Sequence, residues 1–260
     1  MNDNKLDLLN FLAQKGDENA MLELADYYYF KTNKQDLSDE IFQLVKDYYY
    51  LLAEKGNDHA MATLGCLYYE GVNLPQDFKE AKRWFEKAAA RNNALAINYL
   101  GYCHYYGRDI PQDFEKAYSF FASAAQMGHH NGMYKLGDMH YNGHFVEKDP
   151  AIAFFWFNQA EQTVNTESPE YPNIAYRIGH CYLLGDGIPE DLLLALAWLH
   201  KAELGCYQLI QTGDAYAGLT LIRVQQDLGL LRHQLALKNN YQHADLGNHN
   251  PLNSPESLLP

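Results

Sequence analysis

Basic residues, cysteines and long apolar runs are all scarce in this sequence, and each shortage removes a class of function. The chain carries 20 Lys and Arg against 33 Asp and Glu, a formal charge of −13. Displacing counterions from phosphate backbones or anionic lipid takes clustered cations, so neither nucleic acid nor a membrane surface is an expected partner. A basic or neutral protein, or an extended segment of one, suits this charge better. The apolar stretch nearest the start, Leu8 to Ala13, is broken by Asn10 and has acids on both sides, which is the form of neither a signal peptide nor a membrane span. The four cysteines, Cys66, Cys103, Cys181 and Cys206, show no C-x-x-C pairing and no His at zinc-ligand spacing, so free thiols in a reducing cytoplasm are expected.

Catalytic signatures are missing as well. There is no G-x-S-x-G, no H-E-x-x-H, no Walker loop and no G-x-G-x-x-G after a strand, so no catalytic residue, metal or cofactor is assigned. Eleven histidines invite a metal reading. His140 and His144 stand at i, i+4, but Gly143 between them reads as a helix end, which breaks the register a shared ion needs. The "GHH" at 128–130 reads as a solvated turn between helices.

Repetition, by contrast, is abundant. Leu64-Gly65, Leu100-Gly101, Leu136-Gly137 and Ile178-Gly179 recur at spacings of 36, 36 and 42, and Asp77, Asp113, Asp149 and Asp191 keep the same step. The extra residues fall in the polar stretch "TVNTESPEYPN". A second series, Gly71, Gly107, Gly143 and Gly185, stays in phase. The opening "LAQKGDENA" (12–20) also matches "LAEKGNDHA" (52–60), so the chain starts with half a repeat followed by a degenerate one. A fixed period of this length is the mark of a solenoid.

Each unit reads as two helices. The first runs from near Ala60 to Glu70 and stops at Gly71, which can take the left-handed conformation that closes a helix. A short loop follows. The second starts at the repeated Asp, whose carboxylate can accept from the free N–H groups of the first turn; Asp77 with Glu80 reads as a capping box, and Asp149-Pro150 places Pro at the first helical position. Its apolar stripe (Ala81, Trp84, Phe85, Ala88 and their equivalents) recurs at i, i+3, i+4, i+7, which is helical and one-sided. A glycine inside the first helix costs about 1 kcal/mol against Ala, so Gly65 and its equivalents are expected where helices approach closely.

The pattern Leu64-Gly65-x-x-Tyr68-x-x-Gly71…Asp77…Lys79-Glu80-Ala81…Trp84…Lys87-Ala88-Ala89 resembles the Sel-one-like repeat, a cousin of the tetratricopeptide repeat with a slightly longer unit, over about residues 12 to 205. That resemblance implies an all-α, right-handed α/α superhelical solenoid of about five helix-pair repeats with capping helices at both ends, serving as a scaffold for other proteins. The repeats are placed at about 20–59, 60–95, 96–131, 132–172 and 173–212, with caps at 3–15 and 214–240 and a disordered tail at 241–260. Leu8, Leu9 and Leu12 are expected to face the array from the first cap. The sequence departs from the pattern at His104 and His140, which replace its Tyr, and at Asn73, Asp109 and Phe145, which replace its loop Gly kept at Gly187. Phe resists positive φ, so a different loop is expected there. A secreted, cysteine-rich branch of the family is associated with β-lactamase-like activity and pairs cysteines within each repeat. Cys103 and Cys181 instead occupy one position two repeats apart.

If the first helices bury Ala60, Leu64 and Gly65, the helical period turns a second strip toward the concave side. Down the middle of the stack that strip reads Asn98, Tyr99, Tyr102 and Tyr106; Tyr134, Lys135, Asp138 and Asn142; Tyr176, Arg177 and His180. Tyr is frequent at binding hot spots, and these residues are the candidate partner-binding site. The rings could instead pack between adjacent first helices, and spacing alone leaves both open. The expected function is that of a non-catalytic, cytoplasmic bacterial adaptor, monomeric or weakly dimeric. A toxin-neutralising immunity protein is the alternative, and a hydrolase of the β-lactamase-like branch the second.

Overall fold

The computed structural model describes residues 3–31, 38–71, 73–214 and 216–248. These residues form twelve α-helices and no strand: α1 (Asp3–Gln14), α2 (Glu18–Lys31), α3 (Asp39–Glu54), α4 (Asp58–Glu70), α5 (Phe78–Ala89), α6 (Ala94–Tyr106), α7 (Phe114–Gln126), α8 (His130–Asn142), α9 (Pro150–Thr163), α10 (Tyr171–Leu184), α11 (Leu192–Gln211) and α12 (Ala217–Asn248). Each helix packs on the next along the chain, and even helices also touch across the pairs, α4 with α6 and α10 with α12. The result is a solenoid of helix pairs in which even helices open each pair and odd helices close it.

Local chemistry explains the boundaries. Asn57 and Asn93 accept from the backbone N–H three residues on to start α4 and α6, and those helices end at Gly71 and Gly107, with φ of 70° and 67°. Asp77, Asp113, Asp149 and Asp191 start the odd helices in the same way. The capping box expected at Asp77 is only half formed. Asp77 Oδ1 accepts from the N–H groups of Lys79 and Glu80, but the Asp77 N–H donates to the Tyr68 carbonyl rather than to Glu80, which ties the loop back onto the helix before it.

That tie also corrects the expectation for Phe145. Its φ is 68°, in the same left-handed region as Asn73, Asp109 and Gly187. The Asp149 N–H donates to the His140 carbonyl just as Asp77 does to Tyr68, Asp113 to His104 and Asp191 to Tyr182. The loop form is therefore imposed by its two ends, and the phenyl ring accepts strain of about 1 kcal/mol while lying 54% exposed.

Inside the stack the glycines behave as expected. A Cβ placed on Gly65, Gly101 or Gly137 would stand 2.4–2.6 Å from the ring of Phe85, Phe121 or Phe157, so only a hydrogen lets the ring seat against the helix axis. At the ends the structure differs from the reading of the sequence. Of the three leucines of α1, Leu9 is buried and Leu12 half-buried, but Leu8 points outward. α12 runs on through Asn248, so residues 241–248 of the expected tail are helical, and 249–260 lie outside the described residues. No helix among the described residues is long and apolar enough to cross a membrane.

Candidate protein-binding face

The strip of the even helices begins at α6 as a stack of rings. Tyr99 stacks on Phe85 with centroids 4.8 Å apart and meets Tyr69 edge-on at 5.1 Å. Tyr102 lies parallel to Tyr106 at 5.9 Å and donates to Asn131 Oδ1 at 2.9 Å. Of these rings Tyr106 stands out from the stack, 47% exposed. Asn98, one turn earlier, is fully buried, and neither polar atom of its side chain has a hydrogen-bond partner.

In α8 the strip turns from rings to charge. Lys135 is buried, with its ammonium 5.1–5.7 Å from the ring centroids of Tyr102, Tyr105, Tyr106 and Tyr134. Its Nζ also lies 3.5 Å from Asp138 Oδ2, and Arg177 Nη2 of α10 lies 2.7 Å from Oδ1 of the same carboxylate. Burial alone opposes the Lys135 charge. The surrounding tyrosines and Asp138 outweigh it and hold the ammonium pKa above the ordinary lysine value.

The chain of contacts continues outward through α10. The Tyr141 hydroxyl donates to Asp186 Oδ2 at 2.6 Å and lies 3.1 Å from His180 Nε2, while His180 Nδ1 is 2.6 Å from Asp227 Oδ2 on α12. Tyr176 is buried beside His180. Asn142 is exposed, and its amide donates to the Asp138 carbonyl at 2.7 Å.

The strip thus combines the two alternatives left open by the spacing. Asn98, Lys135, Asp138 and Tyr176 are buried, which corrects the picture of a wholly open groove; Tyr99, Tyr102, Tyr134, Arg177 and His180 are partly covered, and Tyr106 and Asn142 face solvent. Adjacent even helices stand close enough for long side chains to bridge them, so most of the strip cross-links the stack. Sequence reasoning missed Tyr141, Asp186 and Asp227. Tyr141 shares its repeat position with Tyr69 and Tyr105, which is a readable signal. Asp227 is not readable, because nothing in the periodic part of the sequence places α12 against His180.

The other histidines are drawn apart. His144 stacks on Phe114 at 4.7 Å and meets the Tyr105 hydroxyl at 2.8 Å, whereas His140 lies toward Tyr118 at 3.4 Å. The "GHH" turn is not simply solvated. His129 Nδ1 accepts from the Gly132 N–H to start α8, and burial, with His130 stacked on it, pushes its pKa down to about 4. The four cysteines are buried and unbridged. Burial pushes the thiols of Cys103 and Cys206 up to about 11 and that of Cys181 to about 12, which leaves these three with little thiolate to act as a nucleophile.

The sequence matches the Sel1 repeat model at residues 58–93, 94–129, 130–162 and 174–204, more than half of the chain. Among curated proteins no sequence matches it. Solved structures with the same fold include c5321, a protective antigen present in uropathogenic Escherichia coli strains and displaying an SLR fold, at 24% identity and a TM-score of 0.60 over 88% of this chain. This chain spans 48% of that protein's length. A Sel1 repeat protein from Oxalobacter formigenes is similar at 23% identity and a TM-score of 0.55, over 78% of this chain and 76% of the other.

Proposed function

Since the chain belongs to the Sel1 repeat family, we propose that it is a non-catalytic adaptor of the bacterial cytoplasm that holds a partner protein along the inner strip. Sel1 repeats are generally protein-interaction modules. The observation that carries the reading is the parallel pair Tyr102–Tyr106, with Lys135 beneath both rings and Tyr106 open to solvent. A ring already fixed by its neighbours loses little entropy when a partner covers it, which is how Tyr contributes at hot spots. Asn142 extends the open part of the strip into the next repeat. The charges on the strip are largely matched among themselves, so the partner is held by ring contact and hydrogen bonding, with a basic partner favoured only by the overall charge of −13.

Tyr106→Ala and Asn142→Ala test this reading without disturbing the stack. Affinity capture with the wild-type chain, repeated with each variant, should lose the same captured protein at unchanged melting temperature. An unchanged capture by both would remove the inner strip as the binding face.

A further inference from the structure

The pattern of the even helices occurs once more in α12. Ala60, Thr63, Leu64, Gly65 and Leu67 of α4 correspond to Ala217, Thr220, Leu221, Ile222 and Val224, and Ala217, Thr220 and Val224 are buried like their counterparts. Two positions beyond Leu67 the helix turns toward the odd helix of its own pair: Tyr69 packs edge-on against Phe78, and Tyr105 against Phe114, each at 5.2 Å. The equivalent residue of α12 is Gln226, and it is exposed. Around it, at helical spacing, Leu219, Ile222, Leu230 and Leu237 are exposed as well. Among the described residues, α12 is therefore an even helix with no odd helix on the face where one belongs. A polar outer face is what a capping helix needs, and this face is not polar.

The converse holds for α1. Its "LAQKG" matches "LAEKG" of α3, which makes it an odd helix, with Leu8 and Leu9 at the positions of Trp84 and Phe85 in α5. Leu9 is buried, but Leu8 and Phe11 are exposed. Leu8 looks toward the side on which Trp84 meets Tyr50 of the preceding odd helix at 5.6 Å.

We propose that this chain associates head to tail, with the open face of α12 in one copy receiving α1 of a second copy. The joint continues the even-on-odd packing repeated inside the chain. Charge supports the pairing. Residues 192–238 carry four Lys and Arg against three Asp and Glu, whereas residues 3–31 carry three against six. Glu203 lies 3.2 Å from His200, Asp214 accepts from the backbone entering α12, and Asp227 holds His180, while Lys238 pairs with Glu190 at 3.1 Å and, toward α1, Glu18 pairs with Lys55 and Glu23 with Lys5. Arg223 on the open face has no carboxylate within ion-pair distance among the described residues, and Asp7 is exposed on α1. Lys5 occupies the place of the inner alanines Ala81 and Ala117, so the joint closes less tightly than the inner pairs and the association is weak. Because the two surfaces differ, each added copy leaves one of each kind free, and growth does not stop at two.

Light scattering or sedimentation of the full chain between about 1 and 100 μM reads this out. The average mass should climb from the 29.8 kDa monomer to at least twofold, and less in high salt. Ile222→Asp and Leu8→Asp, both at exposed positions, should each hold the chain monomeric with an unchanged circular dichroism spectrum. Mixed together, the two variants should pair and stop at twice the monomer mass, since one keeps an intact α12 and the other an intact α1. Leu219→Lys and Leu8→Lys replace either variant that fails to fold. The proposal is overturned by a wild-type chain that stays monomeric throughout, by a mixture that does not pair, or by association that Ile222→Asp abolishes and Leu8→Asp leaves intact; that last result would mean two α12 faces meet each other.

Discussion

In α6 and α8 the glycine of the Leu-Gly pair lies under a phenyl ring, and in α12 the same place holds Ile222, 54% exposed. The inner even helices pack between the odd helix before them and the odd helix after them. Among the described residues, α12 packs on α10 and α11. One sequence pattern therefore lies inside cross-linked structure in the middle of the array and on an open apolar surface at its end, where α12 has one odd neighbour instead of two and carries Ile222 in place of the glycine and Gln226 in place of the tyrosine.

The largest effect should come from breaking the inner charge network. Asp138→Ala removes the carboxylate that faces both Lys135 and Arg177 and leaves two cations in a covered site, at a cost of about 4 kcal/mol. Arg223→Ala on α12 should stay within about 0.5 kcal/mol. Denaturant titration of both variants checks the contrast, and equal losses would abolish it. Next, Gly101→Val drives a branched side chain into the buried ring of Phe121, whose nearest atom lies 2.6 Å from the new Cβ, at about 3 kcal/mol. That damage should lower the single melting transition of the whole array, because each repeat leans on its neighbours.

A smaller effect concerns how the helices start. α8 is capped by His129, and α12 is entered through Asp214. The His129 pKa in the folded chain, about 4, lies below its unfolded value of about 6.5. The unfolded chain therefore takes up a proton that the folded chain does not, and stability falls as pH drops from about 6.5 toward 4. His129→Asn, which copies the caps at Asn57 and Asn93, removes that loss. Thermal melts should show the variant gaining on wild type as the pH is lowered, and a constant gap would refute it. The smallest effect lies on α12 itself. A Cβ on Gly229 meets nothing within 4 Å, so Gly229→Ala should raise stability by about 0.5–1 kcal/mol, measured by the same titration.

Much of the site was legible because its rows repeat. Tyr102, Lys135, Asp138, Arg177 and His180 were all picked out by a helical step carried from one repeat to the next. Their burial was not legible, because a period gives the direction of a side chain and not the distance to the next helix. At the contact between even helices that distance is short enough for Lys135 to reach four rings and for Arg177 to reach Asp138. Tyr106 and Asn142 stay open because they end their helices, beyond the overlap with the neighbouring turn.

The sequence by itself determined the helix pairs, their caps and the glycines under the rings, since each rests on residues a few positions apart or on a repeat of fixed length. Only the tertiary structure decided which faces are covered. Phe145 took a left-handed conformation against its own preference because hydrogen bonds at both ends of its loop outweigh the strain. His180 found Asp227 because α12 returns along α10. Leu8, in the place of the buried Trp84, and Ile222, in the place of the buried glycines, stayed exposed because burial depends on what lies across from a residue, and that is a property of the stack as a whole.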